Sequence, residues 1–517
     1  MLLLNNPRVA NTGKQIQMKL NSNTHNKVDS QVIIFGAGPA GLTAGFELVR
    51  NSQSVVILES DKEYVGGIAR TASHRNFKFD IGGHRFFTKS EKVKELWRDI
   101  LEPEFWKYGV PRLSRIYFDG KFFSYPLKAF DALFKLGVIK SFYYISSYFY
   151  YKIFPIKDVK SFEDWVTNNF GKQLYLAFFK TYTEKVWGIP CDEISADWAA
   201  QRIKGLSLTE AIKNAFSDLI PRKKSENTKV IKTLIDNFDY PMYGPGMLWE
   251  KADFKIKDLG GQVCMGSKVT KIFTSDRKIQ YCEVNNGEKS FSGNNFISTL
   301  PIKELIRIIE PKVPNHIITA ANQLNYRDFL TVVIILDQKD VFPDNWIYIH
   351  EPNVRLGRIQ NFKNWSKEMV PNDFQTSLGL EYFCNEGDDL WNMADEELIS
   401  FGLSELVKIG IAKSETFFDG TIVRMPKAYP VYDDGYKENV VAIRNWLEQN
   451  IGNLQLVGRN GMHMYNNQDH SMLSAYLAAR NLLGESWDPW LVNADAEYHE
   501  DIEPSKSGRM VPRRLPS

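Results

Sequence analysis

The chain has 517 residues, with 64 Lys+Arg against 62 Asp+Glu and a formal charge of +2, so no global field draws it to nucleic acid or an anionic bilayer. Hydrophobic residues make up 43% and charged residues 24%, which excludes a largely disordered chain and leaves room for roughly three domains. Four scattered cysteines, Cys191, Cys264, Cys282 and Cys384, exclude a disulfide framework and give no metal-ligand spacing, so the expected compartment is reducing and cytoplasmic, with no metal.

Met1–Leu4 is too short an apolar stretch for a signal-peptide core, and residues 5–30 read as a flexible tail. The first firm element is the strand Gln31–Phe35, followed by a glycine turn, a helix over Ala40–Arg50 and a second strand over Ser54–Leu58, together one βαβ unit. Residues 115–125 predict a hairpin turning at Asp119–Gly120. From 128 to about 216 the period is helical. Within it, 128–155 is dense in Phe and Tyr but interrupted by Asp131, Lys135, Lys140 and Lys152, so it does not span a membrane. Aromatic stripes usually face cores, so a buried helix pair is expected; the alternative is a basic, aromatic surface helix making peripheral contact with lipid headgroups. Strand character returns over 262–300 and 330–350. Near the C-terminus Asn453–Gly461 reads as a strand entering a glycine turn, with a helix over Ser471–Leu483 and a loose tail from 487 to 517.

Residues 36–41 read Gly-Ala-Gly-Pro-Ala-Gly between strand and helix. In this pattern Gly36 permits the tight turn, Gly38 lets a pyrophosphate approach the backbone, and Gly41 lets helix and strand pack closely. Pro39 and Ala40 open the helix, whose N-terminal N–H groups and dipole suit phosphate. Glu59, followed by Ser60, stands eighteen residues past Gly41, where a carboxylate would take ribose hydroxyls. These features predict dinucleotide binding.

Val65-Gly66-Gly67-Ile68-Ala69-Arg70 resembles the second flavin-contact stretch of the FAD superfamily that holds amine oxidases, protoporphyrinogen oxidases and UDP-galactopyranose mutases. That resemblance implies FAD, with Arg70 at its pyrophosphate, Val269 at the adenine, Thr299 in the turn after Asn295–Ser298, and Gly458-Arg459 opening a late turn at the flavin end. No second such glycine motif appears, so no separate NAD(P)H domain is expected, and no cysteine in the late turn offers covalent flavin attachment.

Further stretches resemble the mutase branch, which interconverts pyranose and furanose nucleotide sugars. Phe79–His84 is similar to the loop that brings Gly83 and His84 to the isoalloxazine; Ser161–Trp165 and Phe178–Gly188 are similar to its helical signature. The resemblance implies that Tyr182, Thr183 and Trp187 line a nucleotide pocket, that Arg202 and Arg358 grip the diphosphate, and that Tyr465 and Tyr429 contact it. Arginine suits that task because its planar fork binds phosphate bidentately. Three features depart from the pattern: a second histidine after His84 is missing, Asn467 replaces a carboxylate, and Tyr240–Trp249 is closer to the oxidases.

The implied fold is α/β: a Rossmann-like FAD-binding domain (31–90, 235–300, 440–486), an inserted helical domain (128–234) and an antiparallel-sheet substrate domain (91–127, 301–439), with tails 1–30 and 487–517. The implied activity is a nucleotide-sugar mutase working through a sugar adduct at N5 of reduced FAD, fed by an external reductant, in polysaccharide precursor synthesis. His84, Arg202, Arg358 and Tyr465 are its expected catalytic residues. The alternative is an oxidoreductase passing hydride to oxidised FAD. A homodimer is compatible with either, and no nucleic-acid partner is expected.

Overall fold

A computed structural model describes residues 27–125, 127, 129–196, 237–433 and 435–492. The βαβ unit forms, with its first strand starting four residues before the expected Gln31, so that Lys27–Ser30 pair in the sheet rather than lie in a tail: β1 (Lys27–Phe35), α1 (Pro39–Arg50) and β2 (Val55–Leu58), with β1 and β2 parallel and Val32 opposite Val55. β1 is central, because on its other side it pairs in parallel with Lys289–Ser298, Phe35 opposite Ser298. Central placement explains why Val32–Phe35 and Val55–Leu58 are uniformly apolar, as strands covered on both faces must be. Gln262–Cys264 extends this sheet beyond β2, while Lys278–Val284, Val269–Ser275 and Ile309–Glu310 extend it beyond Lys289–Ser298, whose end also pairs with Leu454–Leu456. Helix α1 is packed between this sheet and two helices, Gly246–Asp258 and Gln468–Leu482, so nearly every α1 residue is buried.

A second sheet of seven strands runs in the order Phe417–Pro430, Tyr326–Leu336, Thr376–Cys384, Arg358–Asn361, Trp346–Ile349, Ser114–Phe118, Lys121–Ser124. The last two form the expected hairpin, with Asp119 in the left-handed region at its turn. The sheet is antiparallel apart from Trp346–Ile349 beside Ser114–Phe118, a parallel pair the sequence reading does not anticipate.

The helices of 129–196 pack around a separate core holding Phe162, Tyr175, Phe178 and Trp187. Here one expectation fails. Ala129–Leu136 and Val138–Ile153 are helices, but their aromatic stripe is not buried: Phe134 is 90% exposed, Ile139 87% and Phe142 74%. Of the second helix only Ser141 and Tyr148 are buried, because that side lies on Gly171, where a Cβ would sit 2.7 Å from the Tyr148 amide nitrogen. A second correction concerns the C-terminal boundary. Residues 487–492 are packed rather than loose: Pro489 and Val492 are buried, and Arg444 stacks on Trp490 at 4.8 Å. Among the described residues no helix is long and apolar enough to cross a membrane, and no group of metal-ligating side chains gathers.

Candidate active site

The glycine turn between β1 and α1 is the floor of the site. Gly36 has φ +94°, a conformation that a side chain rarely adopts, and a Cβ on Gly41 would lie 1.9 Å from the Gly36 carbonyl oxygen. A Cβ on Gly38, by contrast, would meet nothing within 4 Å, so the turn opens onto free space. Three distant segments close around it. The Gly66 amide donates to the Ala37 carbonyl at 2.8 Å, and a Cβ on Gly67 would lie 3.5 Å from the Gly38 Cα. The Thr299 hydroxyl donates to the Phe35 carbonyl at 2.7 Å, and a Cβ on Gly458 would meet Ala40 at 2.9 Å. Thus Gly36–Gly41, Gly66, Gly67, Thr299 and Gly458 converge at the start of α1 with its free N–H groups.

Glu59 ends β2 and accepts hydrogen bonds from the Ala37 amide (2.7 Å), the Asp61 amide (2.8 Å) and the Ser60 hydroxyl (3.1 Å). Its first structural task is therefore to tie the turn to β2. Arg70 pairs with Asp61 at 2.9 Å and stacks on Tyr64, while its Nε is buried with no hydrogen-bond partner among the described residues. The Trp249 indole N–H, packed against Gly66, is likewise buried and unpartnered. Val269 is buried at the start of its strand, and Asn467 is exposed at the N-terminus of Gln468–Leu482.

At the other end of the cleft, Asp80 leads into Ile81–His84. Asp80 is buried and hydrogen-bonded to Tyr240 and to Thr71 (3.1 Å), and burial raises its carboxyl to about 7. This tie pins the loop to the start of the segment Tyr240–Trp249 that the sequence pattern singles out. His84 donates from Nε2 to the Ile81 carbonyl at 2.9 Å. Burial, reinforced by the neighbouring Arg459 guanidinium, lowers it to about 4, so the imidazole is neutral at physiological pH. Gly83 sits against Gln360 and Trp365.

Beyond His84 lies an aromatic pocket built on the second sheet. Tyr348, Arg358 and Glu381 stand opposite one another on three adjacent strands, so their side chains line one face. Arg358 forms a close ion pair through Nε with the buried Glu381 and donates from Nη2 to the Tyr429 hydroxyl at 3.3 Å. Burial acts against the guanidinium charge, Glu381 more than reverses it, and Arg358 stays charged. A guanidinium has five N–H donors, so three remain for a ligand. Tyr429 stacks on Tyr465 at 5.5 Å, and Tyr465 lies 6.0 Å from Trp187. Tyr182 stacks flat on His350 at 4.9 Å and meets Tyr348 edge-on at 5.6 Å; burial raises its hydroxyl well above the usual range. Arg459 bonds the carbonyls of Asn466 and Ala428 beneath Tyr429 and Tyr465, so it organises the wall.

Tyr182, Trp187, Arg358, Tyr429 and Tyr465 are therefore brought together, and Thr183 is buried on the same helix, Thr181–Trp187. Arg202 lies outside the described residues. Sequence reasoning misses Glu381, Tyr348, His350 and Gln360. Glu381 carries a usable signal, being the single charged residue in the wholly buried strand Thr376–Cys384.

The NAD(P)-binding Rossmann-like domain family matches residues 34–100, the glycine turn and its surroundings. The inactive all-trans-retinol 13,14-reductase of Danio rerio is 43% identical over 51 residues, 10% of this chain and only 8% of that protein. Among solved structures, a reduced UDP-galactopyranose mutase superposes with a TM-score of 0.76 at 20% identity, covering 91% of this chain and 99% of the mutase. A candidate protoporphyrinogen oxidase from Exiguobacterium sp. 255-15 gives 0.66 at 15%, covering 88% and 98%. Putrescine oxidase bound to putrescine gives 0.58 at 14%, covering 89% and 100%. At these identities the likeness establishes the fold: a mixed α/β chain with a Rossmann-like dinucleotide-binding domain, shared with a mutase and with oxidases alike.

Proposed function

We propose that the chain binds FAD non-covalently in the cleft that begins at Gly36–Gly41 and acts on a nucleotide sugar held in the aromatic pocket, as a mutase. The observation that carries this reading is Arg358: a charged guanidinium with three donors to offer, fixed by Glu381 and Tyr429 among Tyr182, Tyr465 and Trp187. Aromatic faces suit a nucleobase, and a fixed fork suits a diphosphate.

The residues around the glycine turn fit a dinucleotide such as FAD. Gly38 opens onto free space at the helix N-terminus, and two buried donors, Arg70 Nε and the Trp249 indole N–H, await acceptors. Bound and reduced, the flavin supplies a nucleophilic nitrogen; oxidised, it supplies a hydride acceptor. Around it the neutral His84 and the Asp80–Tyr240 tie hold the loop Ile81–His84 in place. Arg358 would keep a departing diphosphate close enough to return, the proximity contribution that a mutase needs, with Arg202 as the proposed second cation. Tyr429 and Tyr465 would complete the diphosphate wall.

A second reading rests on one specific observation. Glu381 matches the Arg358 charge and Arg459 is turned to the carbonyls of Asn466 and Ala428, so the aromatic pocket also suits an uncharged reductant that passes hydride to oxidised FAD. Arg358→Ala separates the two. The mutase reading expects UDP and nucleotide sugars to lose binding by at least about tenfold while bound flavin stays stoichiometric. Unchanged nucleotide-sugar binding in that variant overturns the role.

A further inference from the structure

The helix Val138–Ile153 presents an apolar, aromatic face outward and buries only Ser141 and Tyr148. At 3.6 residues per turn, Val138, Phe142, Phe149 and Ile153 fall on one line and Ile139 and Tyr150 on the next, all within a sector of about 120° that extends about 22 Å. Each is more than half exposed. Ser141 and Tyr148 lie opposite and are buried. The orientation is fixed: Gly171 abuts the Tyr148 backbone, and Ser147 Oγ accepts from the Gln173 amide at 3.3 Å. Rotating the stripe inward would break both contacts.

We propose that this face docks in the headgroup layer of an anionic lipid bilayer, with the helix lying in the membrane plane. Three features select that occupant. The stripe mixes Phe and Ile with Tyr, whose ring is apolar and whose hydroxyl stays wet, the composition favoured at a membrane interface. Lysines flank it on both sides: Lys152 lies past one border and Lys140, paired with Asp119 at 2.7 Å, past the other; residues 129–160 hold five lysines against two aspartates, an excess that stays positive with Asp119 counted. A single helix face is also too small for a stable homodimer, which engages roughly 20–30 residues a side. An interfacial amphipathic helix needs no more than this one offers. Docking here would bring the bilayer against the helical unit that carries Tyr182 and Trp187.

The test is flotation of the full chain with phosphatidylcholine vesicles, with and without phosphatidylglycerol as one third of the lipid. The wild type should float with the anionic vesicles, several-fold less with the neutral ones, and less again as salt is raised. Phe142→Glu with Phe149→Glu should cut partitioning at least about tenfold, since burying one such ring is worth that much. Phe142→Trp with Phe149→Trp should restore it. The double glutamate variant should keep the wild-type melting temperature and oligomeric state, because these rings touch water. A wild type that ignores both vesicles overturns the proposal, as does a glutamate variant that floats equally well. A variant that shifts a dimer to monomer without altering flotation assigns the face to a second copy of the chain. One that melts several degrees lower without altering flotation assigns it to the chain's own residues. Either outcome also overturns the proposal.

Discussion

The Arg358–Glu381 pair is the sharpest quantity available for measurement. Glu381 is 1% exposed, while Arg358 keeps 22% of its side chain open to the pocket. Removing one member of a buried pair leaves an uncompensated charge and costs about 3–5 kcal/mol. Glu381→Gln leaves the guanidinium, which the pocket can still hydrate, so the loss should sit near about 3 kcal/mol. Arg358→Gln strands a carboxylate with no access to water and should reach the upper end, about 4–5 kcal/mol. The double variant leaves no charge behind, so its loss should fall short of the sum by at least about 2 kcal/mol. Urea unfolding, followed in parallel by tryptophan fluorescence and circular dichroism, gives the four corners of the cycle. Ligand binding supplies a second sign: Glu381→Gln should tighten UDP and Arg358→Gln should weaken it. Single losses that add to within about 0.5 kcal/mol, or UDP affinities that move together, would refute the coupling.

Burial raises Asp80 from 3.8 to about 7, so the folded chain holds a proton that the unfolded chain releases. Its contribution is intact below about pH 4 and falls as pH rises toward 7. Asp80→Asn should therefore flatten the loss of melting temperature across that window and leave stability at pH 4 nearly unchanged; an unaltered slope contradicts it. His84 lies near 4, so activity between pH 5 and 8 should show no inflection from it. A step near pH 6.5 that vanishes in His84→Gln would overturn the neutral assignment. Gly38→Ala should leave the melting temperature of the apoprotein unchanged while bound flavin drops at least about tenfold, since the methyl enters free space meant for the cofactor. Gly41→Ala should fail earlier, in folding, because its methyl would overlap the Gly36 carbonyl; soluble yield and circular dichroism distinguish the two.

The βαβ unit was legible because each of its signals is local: an apolar run of strand length, a glycine turn, a helix and a second apolar run ending at Glu59. What lay across the chain was harder to read. Glu59 binds the Ala37 amide, a contact set by how β2 registers beside β1. The partner of Arg358 depends on which residue of Thr376–Cys384 falls opposite it, and nothing near Arg358 in sequence carries that information. The aromatic helix shows a further limit. Its period defines a stripe, but periodicity does not say which way the stripe faces; Gly171 and Ser147, through tertiary contacts, turn it outward. Tyr182, Trp187, Tyr429 and Tyr465, which lie together, were picked out by resemblance to a family signature, whereas Tyr348 and His350, outside any motif, emerged only from the sheet that carries them.

The most direct test of the account is an anaerobic assay of UDP-, GDP- and dTDP-sugars with oxidised and with dithionite-reduced protein, products identified by NMR and flavin absorbance followed in parallel. Ring-isomerised sugar formed only by the reduced protein is the predicted result. Bleaching of the oxidised flavin by a substrate, with no isomerised product in either state, would contradict the mutase reading and make the chain an oxidoreductase.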